Sequence, residues 1–246
     1  MIIQSRAYRR WVDCRDLAGY SVSVRETDLY VLTAGNFRHR TEKLVVKHRR
    51  ALESYLESDP AFLTSLKPVA VPESAPLIVQ SMAAAGARAG VGPMAAVAGA
   101  IAGFVGEELL AHTPEVIIEN GGDIYLKSRK TRVIGIYAGG SPLTGKLGIE
   151  VAAGDTPAGV STSSGTVGHS LSFGRADAAV VIAGSAALSD AVATALGNRV
   201  SEPADFAGAI EFARGIAGVR GVVLIMGEHL GVWGNVRLCR TALAGG

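Results

Sequence analysis

Cysteine is nearly missing from this chain: Cys14 and Cys239 are the only two in 246 residues. Neither belongs to a Cys-x-x-Cys pair, which excludes a thiolate zinc cluster and points to the reducing cytoplasm. A disulfide between them would require the two ends of the chain to meet. Charge is also sparse. Asp, Glu, Lys and Arg make up 19% and balance to +2, which argues against a dedicated nucleic-acid binder. Long apolar runs are missing too. The longest, residues 91–105, spans 15 positions and is interrupted by Pro93 and by glycines, whereas a membrane span needs about 20. The basic opening MIIQSRAYRRWVDCRD has no apolar core behind its arginines and does not read as a secretory signal. Neither a membrane nor nucleic acid is therefore expected as a partner. There is no Walker loop, no Gly-x-Gly-x-x-Gly turn, no Gly-x-Ser-x-Gly elbow and no repeat of solenoid length.

Small and apolar residues are abundant instead. With 48% hydrophobic residues and 31 glycines the chain can build a sizeable core with many close backbone contacts. Its length suits one domain covering 1–246, with a sub-boundary in the segment 60–76, where Pro60, Pro68, Pro72 and Pro76 interrupt any regular element. Charge is uneven along the chain: residues 1–70 hold 12 Lys and Arg against 8 Asp and Glu.

Alternation over 20–24 and the run 29–32 predict a hairpin. Thr41 is expected to cap a helix reaching about residue 56, with Leu44, Leu52, Tyr55 and Leu56 inward and Lys43, Lys47 and Arg50 as a basic stripe in solvent. Ser74 and Pro76 open a second helix that ends near Gly90; Gly92 and Pro93 open a third, through Leu110. Strands are predicted at 116–118, 124–126, 133–137, 147–151, 178–182 and 222–226. Ser185 should cap a helix ending at Gly197–Asn198, and 204–216 a last one. Helices and strands alternate only loosely, so an α+β fold with a mixed, largely antiparallel sheet is favoured over a doubly wound one.

The stretch from 159 to 198 carries most of the chemistry. Ser161, Thr162, Ser163, Ser164, Gly165 and Thr166 read as a loop whose hydroxyls and backbone N–H groups could cradle phosphate, or could simply cap their own turn. Asp190 and Thr194 lie one turn apart in an alanine-rich helix. A carboxylate there is costly unless it is exposed, paired or bound to a metal, and with Thr194 it makes a hard-oxygen pair suited to Mg²⁺. His169 is the histidine singled out for a functional role, against that of a structural donor. Asn120–Gly121–Gly122–Asp123 is a tight-turn sequence that either just closes a hairpin or aims Asp123 into the same cleft. Gly92, in AGVGPM, either packs closely or frees a helix N-terminus for phosphate. Asp177 reads as a hydrogen-bonding residue at a strand entry.

Three of these segments, in this order, resemble the ApbE-like proteins, relatives of FAD:protein FMN transferases. GVGPMAAVAGAIAGFVGEEL at 90–109 is similar to the family's glycine-alanine helix, ENGGDIYL at 119–126 to its glycine-rich turn, and STSSG with His169 and SDAVATAL to its closing motif. After His169 the chain reads SLSFGRADA where that family carries an Asp-Pro-x-Thr-Gly stretch, so the likeness is to a soluble subgroup rather than to a typical transferase. The resemblance implies a T-fold-like core that binds FAD. It also implies Mg²⁺ held by Asp190, Thr194 and a backbone carbonyl of the glycine-alanine segment. From the residues themselves, Gly92, Asn120, Gly121 and Gly122 are the candidates at the ligand, and His169 and Asp123 those for catalytic roles. The implied activity is cleavage of the diphosphate or transfer of FMN to an acceptor protein. The other reading of the same residues is a non-catalytic flavin- or nucleotide-binding protein, or a homo-oligomeric structural one.

Overall fold

Alternating apolar strands, paired antiparallel, organise the molecule. The computed structural model describes residue 14 and residues 16–166 and 173–241. The hairpin β1 (Ala18–Val24) and β2 (Thr27–Thr33) forms as the alternation predicts. Helices α1 (Arg38–Ser58), α2 (Pro60–Thr64), α3 (Leu77–Ala89) and α4 (Val97–Leu109) come next, then β3 (Val116–Asn120) and β4 (Asp123–Lys127). β5 (Arg132–Gly135), β6 (Leu147–Val151), β7 (Ala158–Ser163) and β8 (Ala178–Ala183) precede α5 (Ala186–Gly197) and α6 (Phe206–Arg214), and β9 (Val219–Met226), β10 (His229–Gly234) and β11 (Arg237–Arg240) complete the described chain. Every pairing between described strands is antiparallel.

The large sheet runs β1-β2-β3-β4-β7-β8-β9-β10, while β5 and β6 leave it and join β11 in a three-stranded sheet of order β11-β6-β5. Side chains of successive strand residues point to opposite faces. Ile118, Tyr125, Val181 and Leu224 therefore meet the helices, whereas Ile117, Ile124, Val180 and Ile225 meet Ile134 and Ile149 of the small sheet. The result is three layers, helices on sheet on sheet, with one core on each side of the large sheet. Phe62 of α2 is fully buried in the helical core, so the proline-rich stretch is anchored to it.

Three glycines set how closely the helices approach the sheet. A Cβ on Gly106 of α4 would enter the Tyr125 ring, one on Gly159 of β7 would enter the Ala186 backbone, and one on Gly99 of α4 would enter the Ala186 carbonyl and the Asp190 Cβ. α5 is thus wedged against both β7 and α4 at contact distances that only small residues permit. Ser185 caps α5 as its sequence predicts, accepting a bond from the Leu188 N–H at 3.2 Å. Ser185→Ala is expected to cost about 1 kcal/mol, read as a lower urea midpoint with an unchanged slope; an unshifted midpoint would show that the cap is idle.

Several expectations need correction. Thr41 does not cap α1: it lies inside the helix, fully buried, within 3.1 Å of the Tyr20 hydroxyl, and Phe37 occupies the cap position without a side-chain bond. The helix expected from Gly92 begins as a 3₁₀ turn, Pro93–Ala96, and becomes α-helical only at Val97. The last helix is likewise a 3₁₀ turn, Pro203–Asp205, followed by α6. Ser161, Thr162 and Ser163 belong to strand β7 instead of a loop, and β10 and β11 were not anticipated. Lys43, Lys47 and Arg50 face solvent as expected, and Lys47 meets Glu108 of α4 at 2.7 Å. No disulfide joins Cys14 to Cys239. No single described helix is long and apolar enough to cross a membrane.

Candidate functional site

Register places three polar side chains in a row. Asn120 is the partner of Asp123 across β3 and β4, and Asp123 is the partner of Ser161 across β4 and β7. Cross-strand partners share a face, here the face of Ile118, Tyr125 and Gly159, which looks toward the helices. Gly121 and Gly122 join β3 to β4 with φ of 68° and 109°, a left-handed path that glycine follows without steric cost and that makes a two-residue hairpin possible.

Onto this row α5 lowers Asp190. Its carboxylate oxygen Oδ2 accepts the Gly99 N–H at 2.8 Å. Gly99 is the third residue of α4, a helix with no side-chain cap of its own, so Asp190 satisfies a free N–H at the positive end of that helix from across the molecule. The carboxyl of Asp123 lies beside that of Asp190 and, by register, beside the Ser161 hydroxyl. Ser161 Oγ is 2.8 Å from Ser189 Oγ, and Ser189 Oγ donates to the Ala186 carbonyl at 3.0 Å; both serines are fully buried. The Asn120 side-chain amide donates to the Ala98 carbonyl at 3.0 Å, and Glu119 accepts the Gly122 N–H at 2.9 Å.

The electrostatics follow from this enclosure. Burial is the main cause that pushes Asp123 up to about 7; the hydrogen bond from Ser161 pulls the other way, and the charge of Glu119 adds to the rise. Asp190 is raised well above the ordinary carboxylate range, first by burial and then by the charge of Asp123, against the Gly99 N–H that favours its anion. Two carboxyls in contact cannot both ionise cheaply, so the pair holds a proton between them. Among the described residues no three His, Cys, Asp or Glu side chains converge. A cation here would rest on the Asp190 carboxylate together with hydroxyl and carbonyl oxygens, with the charge of Asp123 alongside, a donor set that fits a hard divalent ion.

Of the residues singled out in the sequence, Asn120, Asp123, Ser161 and Asp190 meet directly, with Gly121 and Gly122 in the adjoining turn. Thr194 is one turn beyond Asp190 on α5 and partly exposed. Ser163 shares the face of Ser161. Thr162 points to the opposite face with Val160 and Val180, and its N–H donates to the Gly122 carbonyl at 3.2 Å. Ser164, Gly165 and Thr166 form a turn: the Thr166 hydroxyl donates to Asp177 at 3.0 Å, and the other Asp177 oxygen accepts the Gly227 N–H at 2.8 Å. Asp177 does tie a strand entry, as expected. Gly92 is buried against the Ser65 backbone in a packing contact. His169 lies outside the described residues.

Sequence reasoning missed Gly99, Ala98, Ser189 and Glu119. For Ser189 a signal exists, its position beside Asp190 on the inner side of an alanine-rich helix. For Gly99 there is none, because 91 residues separate it from Asp190.

A family model described as "AbpE bacteria" matches residues 9–228. The UPF0280 protein of Methanocella arvoryzae is 43% identical over 214 residues, covering 87% of each chain. That of Methanocaldococcus jannaschii is 42% identical over 222 residues, 87% of this chain and 90% of the relative. Among solved structures, the flavinyl transferase ApbE of Pseudomonas stutzeri superposes with a TM-score of 0.54 at 14% identity, covering 89% of this chain and 94% of that one. The ApbE protein of Thermotoga maritima gives 0.55 at 12% identity, with 92% and 97% covered. At such identities the likeness to the solved structures is one of fold.

Proposed function

The chain belongs to the ApbE-like family, and from that premise we propose that it binds a flavin dinucleotide, or another nucleotide diphosphate, together with Mg²⁺ and acts on the diphosphate bond. The observation that carries this reading is the pairing of Asp123, buried, with Asp190, partly buried, at the N-terminal end of α4. Such a pair is unfavourable by itself, and a divalent cation in place of the shared proton relieves it. Asp190 and Thr194 are the residues assigned to hold the ion, with the Ala98 carbonyl, now bonded to Asn120, within the same cluster. When bound, Mg²⁺ supplies positive charge against the diphosphate oxygens.

The chain's own groups have separate tasks. The positive end of α4 and the glycine turn 121–122 favour an anion near the site. Asn120 holds the α4 backbone by its amide. Asp123, beside Asp190, is the group assigned to accept a proton. In hydrolysis, water would attack one phosphorus of FAD, the bridging P–O bond would break, and FMN and AMP would leave. In transfer, the hydroxyl of an acceptor protein would take the place of water, lose its proton to the base and keep FMN, with AMP as the leaving group. His169 is assigned the second proton-handling role from its place in the sequence.

A second reading has an observation of its own. Asp190 already has a structural task, capping α4, which suits a binding or assembly protein without catalysis. Purified protein incubated with FAD and Mg²⁺, then chromatographed for FMN and AMP, separates the two. Metal-dependent release of AMP supports the enzyme. Binding of FAD without turnover, in the presence of acceptor-protein hydroxyls, supports the second reading.

A further inference from the structure

The buried hydroxyls beneath the carboxyl pair form a chain with more acceptors than protons. Ser161 and Ser189 carry one hydroxyl proton each, while the carboxyl of Asp123, the register partner of Ser161, the neighbouring hydroxyl and the Ala186 carbonyl all stand ready to accept. Ser189 can donate to Ala186 or to Ser161, but not to both at once. If it donates to Ala186, the 2.8 Å contact between the serines is made by the Ser161 proton, which is then lost to Asp123. If it turns to Ser161, the Ser161 proton points at Asp123. The Ala186 carbonyl is not orphaned by that turn, because it still accepts the helical bond of α5 from four residues on.

We propose that Ser189 is a positioning residue that acts through Ser161: the direction of its hydroxyl decides whether Ser161 supports the Asp123 carboxyl beside Asp190. Ser189 reaches Asp123 only through this relay, and both hydroxyls are sealed from water, so no solvent molecule replaces a missing donor. Gly159 of β7 makes the arrangement possible, since a Cβ there would collide with the Ser189 hydroxyl and with α5 itself. The proposal rests on the cation site proposed above, and it makes Ser189 a residue that tunes that site without touching ion or substrate.

The test uses the full chain with Mn²⁺ alone, read by electron paramagnetic resonance, in wild type, Ser161→Ala, Ser189→Ala and the double variant. Residues that support a metal site from outside its ligands carry about 10–100-fold in metal affinity, so Ser161→Ala is expected to weaken Mn²⁺ about tenfold and Ser189→Ala about fivefold. The double variant should match Ser161→Ala, because the relay is already cut. Wild-type affinity in Ser189→Ala, or a double loss equal to the product of the single losses, overturns the proposal. A wild type that binds no Mn²⁺ defeats the cation site instead, and the relay is then read in chelator from unfolding equilibria of Ser189→Ala, Asp123→Ala and their combination. Effects that do not multiply support the relay; effects that multiply overturn it.

Discussion

Replacing Asp190 by Asn should abolish metal-dependent binding of FAD while leaving the fold in place. An asparagine oxygen can still accept the Gly99 N–H that Asp190 accepts at 2.8 Å, so the end of α4 stays capped. The amide cannot supply the negative charge that a hard cation requires. Loss of a direct ligand should exceed the roughly 10–100-fold carried by outer partners, so an affinity drop of more than about 100-fold is expected, measured by calorimetry with FAD in Mg²⁺ against FAD in chelator. Asp190→Ala should lose the cap as well and therefore also lower the urea midpoint. If Asp190→Asn bound FAD and Mg²⁺ as wild type does, Asp190 would be only the cap of α4.

Stability in chelator should fall as pH rises, and Asp123→Asn should remove most of that fall. The folded-state value of Asp123, about 7, lies above the usual carboxylate value, so the native state binds more protons than the unfolded chain between pH 4 and 7. Stability is therefore greatest below the unfolded value and is lost as pH rises through the folded one. For this group the loss from pH 5 to pH 8 is about 2–3 kcal/mol, since one pH decade of proton affinity is worth about 1.4 kcal/mol. Asp190 is raised too and acts in the same direction. An asparagine at position 123 donates an N–H to Asp190 in place of the shared proton, so the variant should be more stable than wild type at pH 8 yet bind Mg²⁺ less well. Such an exchange of stability for function is typical of sites that hold like charges together. Urea denaturation at the two pH values checks it, and parallel pH profiles for the two proteins would count against a shared proton.

The readable parts of this sequence were those set by near neighbours. Ser185 was legible as a cap because its acceptor role needs only the Leu188 N–H three residues on. The Asn120–Gly121–Gly122–Asp123 turn was legible because left-handed φ at both central positions calls for glycine. Asp190 was legible as an anomaly, a carboxylate in an alanine-rich helix. Ser161, Thr162 and Ser163 were not legible as a strand, since small hydroxyl residues beside glycine suit a turn and only pairing with β4 and β8 makes them β-structure. The start of α1 was misplaced at Thr41 because its true cap position, Phe37, offers no side-chain signal. Thr41 itself is held by the distant Tyr20.

The decisive experiment is a crystal structure with FAD and Mn²⁺, located by anomalous scattering. The expected result is an ion coordinated by the Asp190 carboxylate, with Thr194 and the FAD diphosphate among its ligands and Asp123 alongside. An ion bound elsewhere with FAD in place, or FAD seated away from α5 and the turn at 121–122, would contradict it.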